Sequence, residues 1–182
     1  MSESLDIWQL EQIAEKTYYN DPENLVFYYL KKIENDETIV IIQGDKMNGF
    51  TESRTPKDSY YEIYKEYYPS GIIKKSGKIL GDATAIGIWY YFDEQGNFVE
   101  EIDEDKKFGA FGFLELLNFL MEKKLIEEKT YLGISKIRMV FSEKNMIWYI
   151  RITHPRYMIE EYEINGNTGE VKLHKSFQGG QM

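Results

Sequence analysis

Two histidines, no cysteine and 31 acidic residues set the chemistry open to this chain. Without cysteine there is no disulfide, thiolate metal site or cysteine nucleophile. His154 and His174 stand alone, with no His or Cys at ligand spacing and no His-Glu-x-x-His motif. A histidine metal site or a Ser-His-Asp triad would have to be built from this pair alone. His154 precedes Pro155 at an expected strand end, where a solvated loop histidine is the ordinary reading. Gly133-Ile134-Ser135 lacks the second glycine of a nucleophile elbow. Between Gly71 and Gly77 lie five residues where a phosphate loop has four, and Ile79 follows Lys78 where that loop needs Ser or Thr. Residues 93–97 and 165–170 hold Asn, Asp and Gly in turn order, without the ligand set of a calcium loop. Among the acidic residues no pair stands out for acid–base work. The expectation is a chain with no catalytic residue, no metal and no cofactor.

Binding chemistry is better represented. Residues 100–105 form an acidic run that presents Glu100, Glu101, Asp103, Glu104 and Asp105. It could be a solvated hairpin end, or a docking surface for a cationic partner. Tyr60, Tyr61, Tyr64, Tyr67, Tyr68, Tyr90 and Tyr91 cannot all point inward, because strand side chains alternate between faces. Some should form an exposed aromatic face unless neighbouring elements cover them, and Tyr67 and Tyr91 are the candidates there. The net charge is −9, and the Lys pairs at 31–32, 74–75, 106–107 and 123–124 are scattered among carboxylates. Phosphate backbones would be repelled, so nucleic acid is not an expected partner. A basic protein is favoured by the same charge.

The elements that must position these residues are mostly strands. A repeat of about 25 residues links Tyr67-Tyr68-Pro69-Ser70-Gly71 to Tyr91-Phe92-Asp93-Glu94-Gln95-Gly96, each an aromatic strand, a glycine-closed turn and a second strand. Strands are expected at 59–68, 71–80, 86–92 and 97–102, and a hairpin over 25–43. Trp89 is expected to be buried as the packing anchor of these hairpins. Residues 4–19 read as an amphipathic helix with Leu5, Trp8, Ile13 and Ala14 on one side. Asp21-Pro22 could cap a further helix, and residues 47–58, with Asn-Gly and Thr-Pro, read as a loop or irregular edge. Past the acidic run, Phe113, Leu116, Leu117, Leu120, Met121 and Leu125 fall at helical spacing over 113–126. Strands at 136–142, 146–153, 157–164 and 170–175 follow, and the tail from Gln178 should fray.

Residues 60–103 resemble variant MORN repeats, on Tyr67, Tyr68, Gly71 and Gly77, then Gly87-Ile88-Trp89, Tyr91 and Gly96. Residues 109–175 resemble a PepSY-like module, a helix laid across an antiparallel sheet, on Glu161-Tyr162-Glu163-Ile164 and Asn167-Thr168-Gly169-Glu170-Val171. The combination resembles small bacterial proteins, common in Bacteroidetes, some of which look like immunity proteins against secreted toxins, type VI secretion included. The expected fold is α+β: an N-terminal helix with a MORN-like antiparallel hairpin meander over 1–105, then a PepSY-like helix-on-sheet module over 106–182. The resemblance implies an immunity protein that occludes the active site of a cognate toxin. A cell-envelope scaffold or a peptidase-inhibitory module is the alternative, and an enzyme using paired carboxylates is a further class. No apolar run approaches the roughly 18 residues of a membrane span. The N-terminus has neither a basic start nor an apolar stretch, so no signal peptide is expected, and the compartment stays open between cytoplasm and periplasm.

Overall fold

A computed structural model of the chain describes residues 3–19, 25–57, 59–81, 84–126, 136–154, 156 and 158–179. In chain order the elements are α1 (Ile7–Ile13), β1 (Glu15–Tyr18), β2 (Val26–Ile33), β3 (Ile39–Asp45), β4 (Gly49–Thr55), β5 (Glu62–Tyr67), β6 (Ile73–Leu80), β7 (Thr84–Phe92) and β8 (Phe98–Asp103). A 3-10 turn at Glu104–Lys107 precedes α2 (Phe113–Glu122), β9 (Lys136–Ser142), β10 (Ile147–Thr153), β11 (Met158–Asn165) and β12 (Val171–Gln178). The α+β class holds, with strand far outweighing helix. Two compact units divide the chain, one from residues 1–57, 62–78 and 88–102, the other from 58–61, 79–87 and 103–182. The second unit therefore draws on chain from both sides of position 105.

β1 to β8 form one sheet whose spatial order follows chain order. In the first unit one face gathers Tyr28, Val40, Ile42, Phe50, Tyr67 and Ile73, and α1 adds Leu10 to that cluster. The alternation of strand side chains makes this possible: Tyr28 lies opposite Gly44, Gly44 opposite Phe50, and Phe50 opposite Tyr67. The expected hairpin over 25–43 is present as β2 and β3. Residues 47–58 are a correction, because β4 is a paired strand between β3 and β5 rather than a loop or an edge. It supplies another copy of the turn: Gly49 lies 22 residues before Gly71, which lies 25 before Gly96.

The helix expected over 4–19 is also corrected. It stops at Ile13, and β1 follows at once. Asp6 caps it, accepting from Gln9 N at 2.9 Å. Of its apolar residues Leu10 is the buried one, while Trp8 is 72% exposed.

Two glycines in this unit are required by close approach. Gly71 has φ +84°, and a Cβ there would meet Leu5 O at 2.7 Å. The N-terminal segment straps over this turn: Leu5 N donates to Gly71 O at 2.8 Å and Ile73 N to Glu3 O at 3.2 Å. Gly77 lies under the indole of Trp89, whose ring atoms would sit 2.3 Å from an added Cβ. Trp89 is buried, as expected of it, and its Nε1 donates to Lys78 O at 3.2 Å. Tyr64 tilts against the same ring at 6.0 Å, and the Lys75 ammonium stands 5.9 Å from its centroid.

The second unit is a helix on a four-stranded sheet of order β12-β11-β10-β9. Leu116 and Leu120 of α2 have no solvent exposure, one helical turn apart on the face that meets the core. The α2 helix ends at Glu122, short of the expected 126. Its start is set by Glu115, whose carboxylate accepts from Gly112 N at 3.0 Å. Phe108, Phe141 and Trp148 form a three-ring cluster with each pair of centroids 4.9 Å apart. Trp148 Nε1 donates to Phe111 O at 3.0 Å, which satisfies the one polar atom the indole carries inward. Phe111 N in turn donates to Gly166 O at 2.8 Å. The final strand runs to Gln178, past the expected 175, and the end of the tail, from residue 180, lies outside the described residues. Asp21-Pro22, Gly133-Ile134-Ser135 and Pro155 lie outside the described residues.

Candidate functional site

In the first unit, the chemistry gathers on β8. A turn built on Asp93 sets this strand: its Oδ1 accepts from Gln95 N at 3.0 Å and Asn97 N at 2.8 Å, and its Oδ2 from Asn97 Nδ2 at 3.0 Å. Those bonds, the Asn97 side chain first, hold the Asp93 carboxyl below the usual aspartate range. β8 is the last strand of its sheet, so among the described residues one side of its backbone has no strand partner. Phe98, Val99, Glu100, Glu101 and Ile102 are all exposed, on both faces of the strand. Phe98 and Val99 are 58% and 57% exposed, which is unusual for neighbouring apolar residues in a strand. Phe98 keeps an edge-on contact to Phe92 at 6.2 Å.

The acidic run does not act as one patch. Glu100 and Glu101 project from β8 in the first unit with no ion-pair or hydrogen-bond partner among the described residues. Asp103, Glu104 and Asp105 belong to the second unit and are engaged in its structure. Asp103 caps the 3-10 turn, accepting from Asp105 N at 3.2 Å. Glu104 pairs with Lys107 at 2.7 Å, and Asp105 Oδ1 accepts from Gly87 N at 2.8 Å. Helix-like turns need such capping oxygens, so the sequence run mixed two presented carboxylates with three structural ones.

The tyrosines divide in the same way. Tyr67 is corrected: it is 2% exposed, and its hydroxyl donates to Glu52 Oε2 at 3.0 Å. Its phenol is pushed far above the ordinary tyrosine range, by burial first and then by the Glu52 charge. Tyr91 is half-buried on β7, and Tyr60, Tyr61, Tyr64 and Tyr68 are half-buried as well. Tyr90 is the exposed one of the expected group. Among the described residues the most exposed aromatic rings are instead Trp8 on α1 and Tyr18 on β1.

The second unit holds a cluster that inspection of the sequence missed. His154 and His174, 20 residues apart, converge on one carboxylate. His154 Nε2 lies 3.0 Å from Glu160 Oε1, His174 Nε2 lies 3.1 Å from Oε2, and the Tyr162 hydroxyl donates to Oε2 at 2.6 Å. Strand register brings them together. Alternation puts Glu160 and Tyr162 on one face of β11, and Tyr162 lies opposite His174 on β12. The two rings stack at 4.3 Å, nearly parallel. The Tyr162 hydroxyl, then the two histidines, hold the Glu160 carboxyl below the usual glutamate range, while burial and Glu160 push the tyrosine up. Each imidazole nitrogen faces a different carboxylate oxygen, and among the described residues no group of His, Asp and Glu is placed to hold a metal. The turn at 165–169, with Asn165 Oδ1 accepting from Asn167 N at 2.8 Å, was the available clue to this register.

Compared with known proteins, the chain matches no family model, no curated protein and no solved structure. Among the described residues no helix is long and apolar enough to cross a membrane.

Proposed function

We propose that this chain is a non-catalytic binding protein, specifically an immunity protein that neutralises a cognate secreted bacterial toxin by covering its active site. The MORN-like and PepSY-like residue patterns supply the word immunity. The single observation that carries the binding role is β8, among the described residues an open strand edge that exposes Phe98, Val99 and Ile102 beside Glu100 and Glu101, which have no partner there. Apolar area of this kind is what a partner desolvates, and two free carboxylates steer a cationic surface onto it.

The test is association kinetics with the product of the neighbouring gene, for wild type and for Glu100→Gln/Glu101→Gln, at low and high salt. The double variant should bind about three- to tenfold more slowly at low salt, with the difference shrinking as salt screens exposed charges over roughly 8 Å. Both positions are exposed and unpaired, so the unfolding midpoint should stay within about 0.5 kcal/mol of wild type. No binding of the neighbouring product, or equal rates for both proteins, would remove the basis for this reading.

A further inference from the structure

We infer that the partner docks on β8 as an added antiparallel strand, and that this strand carries the pattern apolar-basic-basic-apolar-apolar from its N- to its C-terminus. The inference rests on the reading of β8 as the partner-binding edge and specifies what the partner presents there.

An edge strand leaves every second residue's N–H and C=O pointing away from its neighbour, a template for another chain. Proteins blunt such an edge with a bulge, a proline, a covering loop or charged side chains, and on β8 the charges are Glu100 and Glu101, which select an opposite charge. β8 has no proline, and over Phe98–Ile102 every side chain is exposed. Antiparallel addition continues the pattern of the ladders from β1 to β5 and is the more stable pairing per residue.

Side chains then fix who can pair. A chain laid antiparallel to β8 meets Ile102, Glu101, Glu100, Val99 and Phe98 in that order. Opposite-charge and apolar pairs across a ladder are favourable, and like charges directly opposite are unfavourable. The complementary strand therefore places basic residues against Glu101 and Glu100, and apolar residues against Ile102, Val99 and Phe98. The same rule disfavours a second copy of this chain. Centred on Glu100, two copies would set Glu100 against Glu100 and Val99 against Glu101, with neither charge neutralised. The edge thus favours a cationic strand over a second copy of itself.

The probe is a synthetic peptide with the core Ile-Lys-Arg-Val-Leu between polar flanks. Two controls accompany it: the same side chains with alternate backbone nitrogens methylated, and the charge-reversed Ile-Glu-Glu-Val-Leu. Binding is read by anisotropy of labelled peptide, and its location by amide hydrogen exchange of the full chain. The parent peptide should bind and slow exchange in β8 by about tenfold. The methylated peptide should bind at least tenfold more weakly, and Glu100→Lys/Glu101→Lys should exchange the preference toward the acidic peptide. Equal binding of the methylated peptide would show charge attraction without strand pairing and overturn the inference, as would protection confined to other strands or no binding at millimolar peptide. If the neighbouring gene product binds through Glu100 and Glu101 while the peptide does not, the docking edge survives and strand addition falls. If the peptide pairs with β8 while that product does not bind, strand addition stands and the immunity reading falls.

Discussion

Each unit of the molecule holds a carboxylate in place with a tyrosine hydroxyl, but the two settings differ in the remaining partners. Glu52, on β4, is 7% exposed and receives Tyr67 at 3.0 Å and Arg54 Nη1 at 3.2 Å. Arg54 also pairs with Glu34. Glu160, on β11, accepts from the Tyr162 hydroxyl and lies 3.0 Å from His154 Nε2 and 3.1 Å from His174 Nε2. A guanidinium stays charged across the whole accessible pH range. The first setting is therefore a fixed ionic anchor within a sheet core. In the second, a hydroxyl donates to the carboxylate and two imidazoles lie against it, with no guanidinium beside it among the described residues.

The largest effect should come from removing the permanent cation. Arg54→Met leaves Glu52 buried without its counter-charge, and breaking a buried pair from one side is more costly than replacing both. Because Arg54 is itself 30% exposed, we expect a loss of about 2–3 kcal/mol by urea unfolding. A loss under about 1 kcal/mol would mean that water already reaches Glu52, and the contrast between the two sites would collapse.

Removing the hydroxyls should separate the sites further. Tyr67→Phe takes one of the two donors that Glu52 has and should cost about 1–2 kcal/mol. Tyr162→Phe leaves Glu160 with both histidines and should cost about half as much. Equal losses would show that the histidines do not substitute for the hydroxyl.

The smallest effect is the one that depends on pH. The folded-state pKa of Glu160 is depressed, so its contribution is present above the ordinary glutamate value and is lost as pH falls through the lower folded value. Glu160→Gln should therefore cost about 1 kcal/mol at pH 7 and less at a pH below the ordinary glutamate value. Urea midpoints of both proteins at the two pH values measure this, and a gap that does not narrow in acid would place the effect in packing instead of charge.

These two carboxylates also mark where the sequence was hard to read. β4 escaped notice because its inward positions are Phe50, Glu52 and Arg54, so a buried strand face lacked the apolar alternation that identifies one. β7 and the strands β9 to β11 were legible because their inward positions are Trp89, Met139, Trp148, Ile150, Tyr162 and the like, while β8 and β12, which bury nothing, showed through the glycine turns before them. The helix at α2 showed for the same reason at a different period. The end of α1 did not, because Glu15-Lys16-Thr17-Tyr18 continues a polar, helix-compatible composition and only pairing with β2 makes it a strand. In the acidic run, spacing revealed the charge on β8 but not which carboxylates were spent on caps. His154 and His174 looked isolated because ligand spacing along a chain cannot represent proximity created by register across β11 and β12.

The strap over Gly71 gives the first unit an order of assembly. Because strand order in its sheet equals chain order, each ladder there closes a loop of a few residues, and short closures cost little entropy and form fast. The contacts of Leu5 with Gly71, and of Glu3 with Ile73, join segments more than sixty residues apart and gain nothing until the turn between β5 and β6 exists. Hairpins should therefore set first and the N-terminus latch last. That makes the latch a late step, whose loss speeds unfolding while leaving the rate of folding nearly untouched.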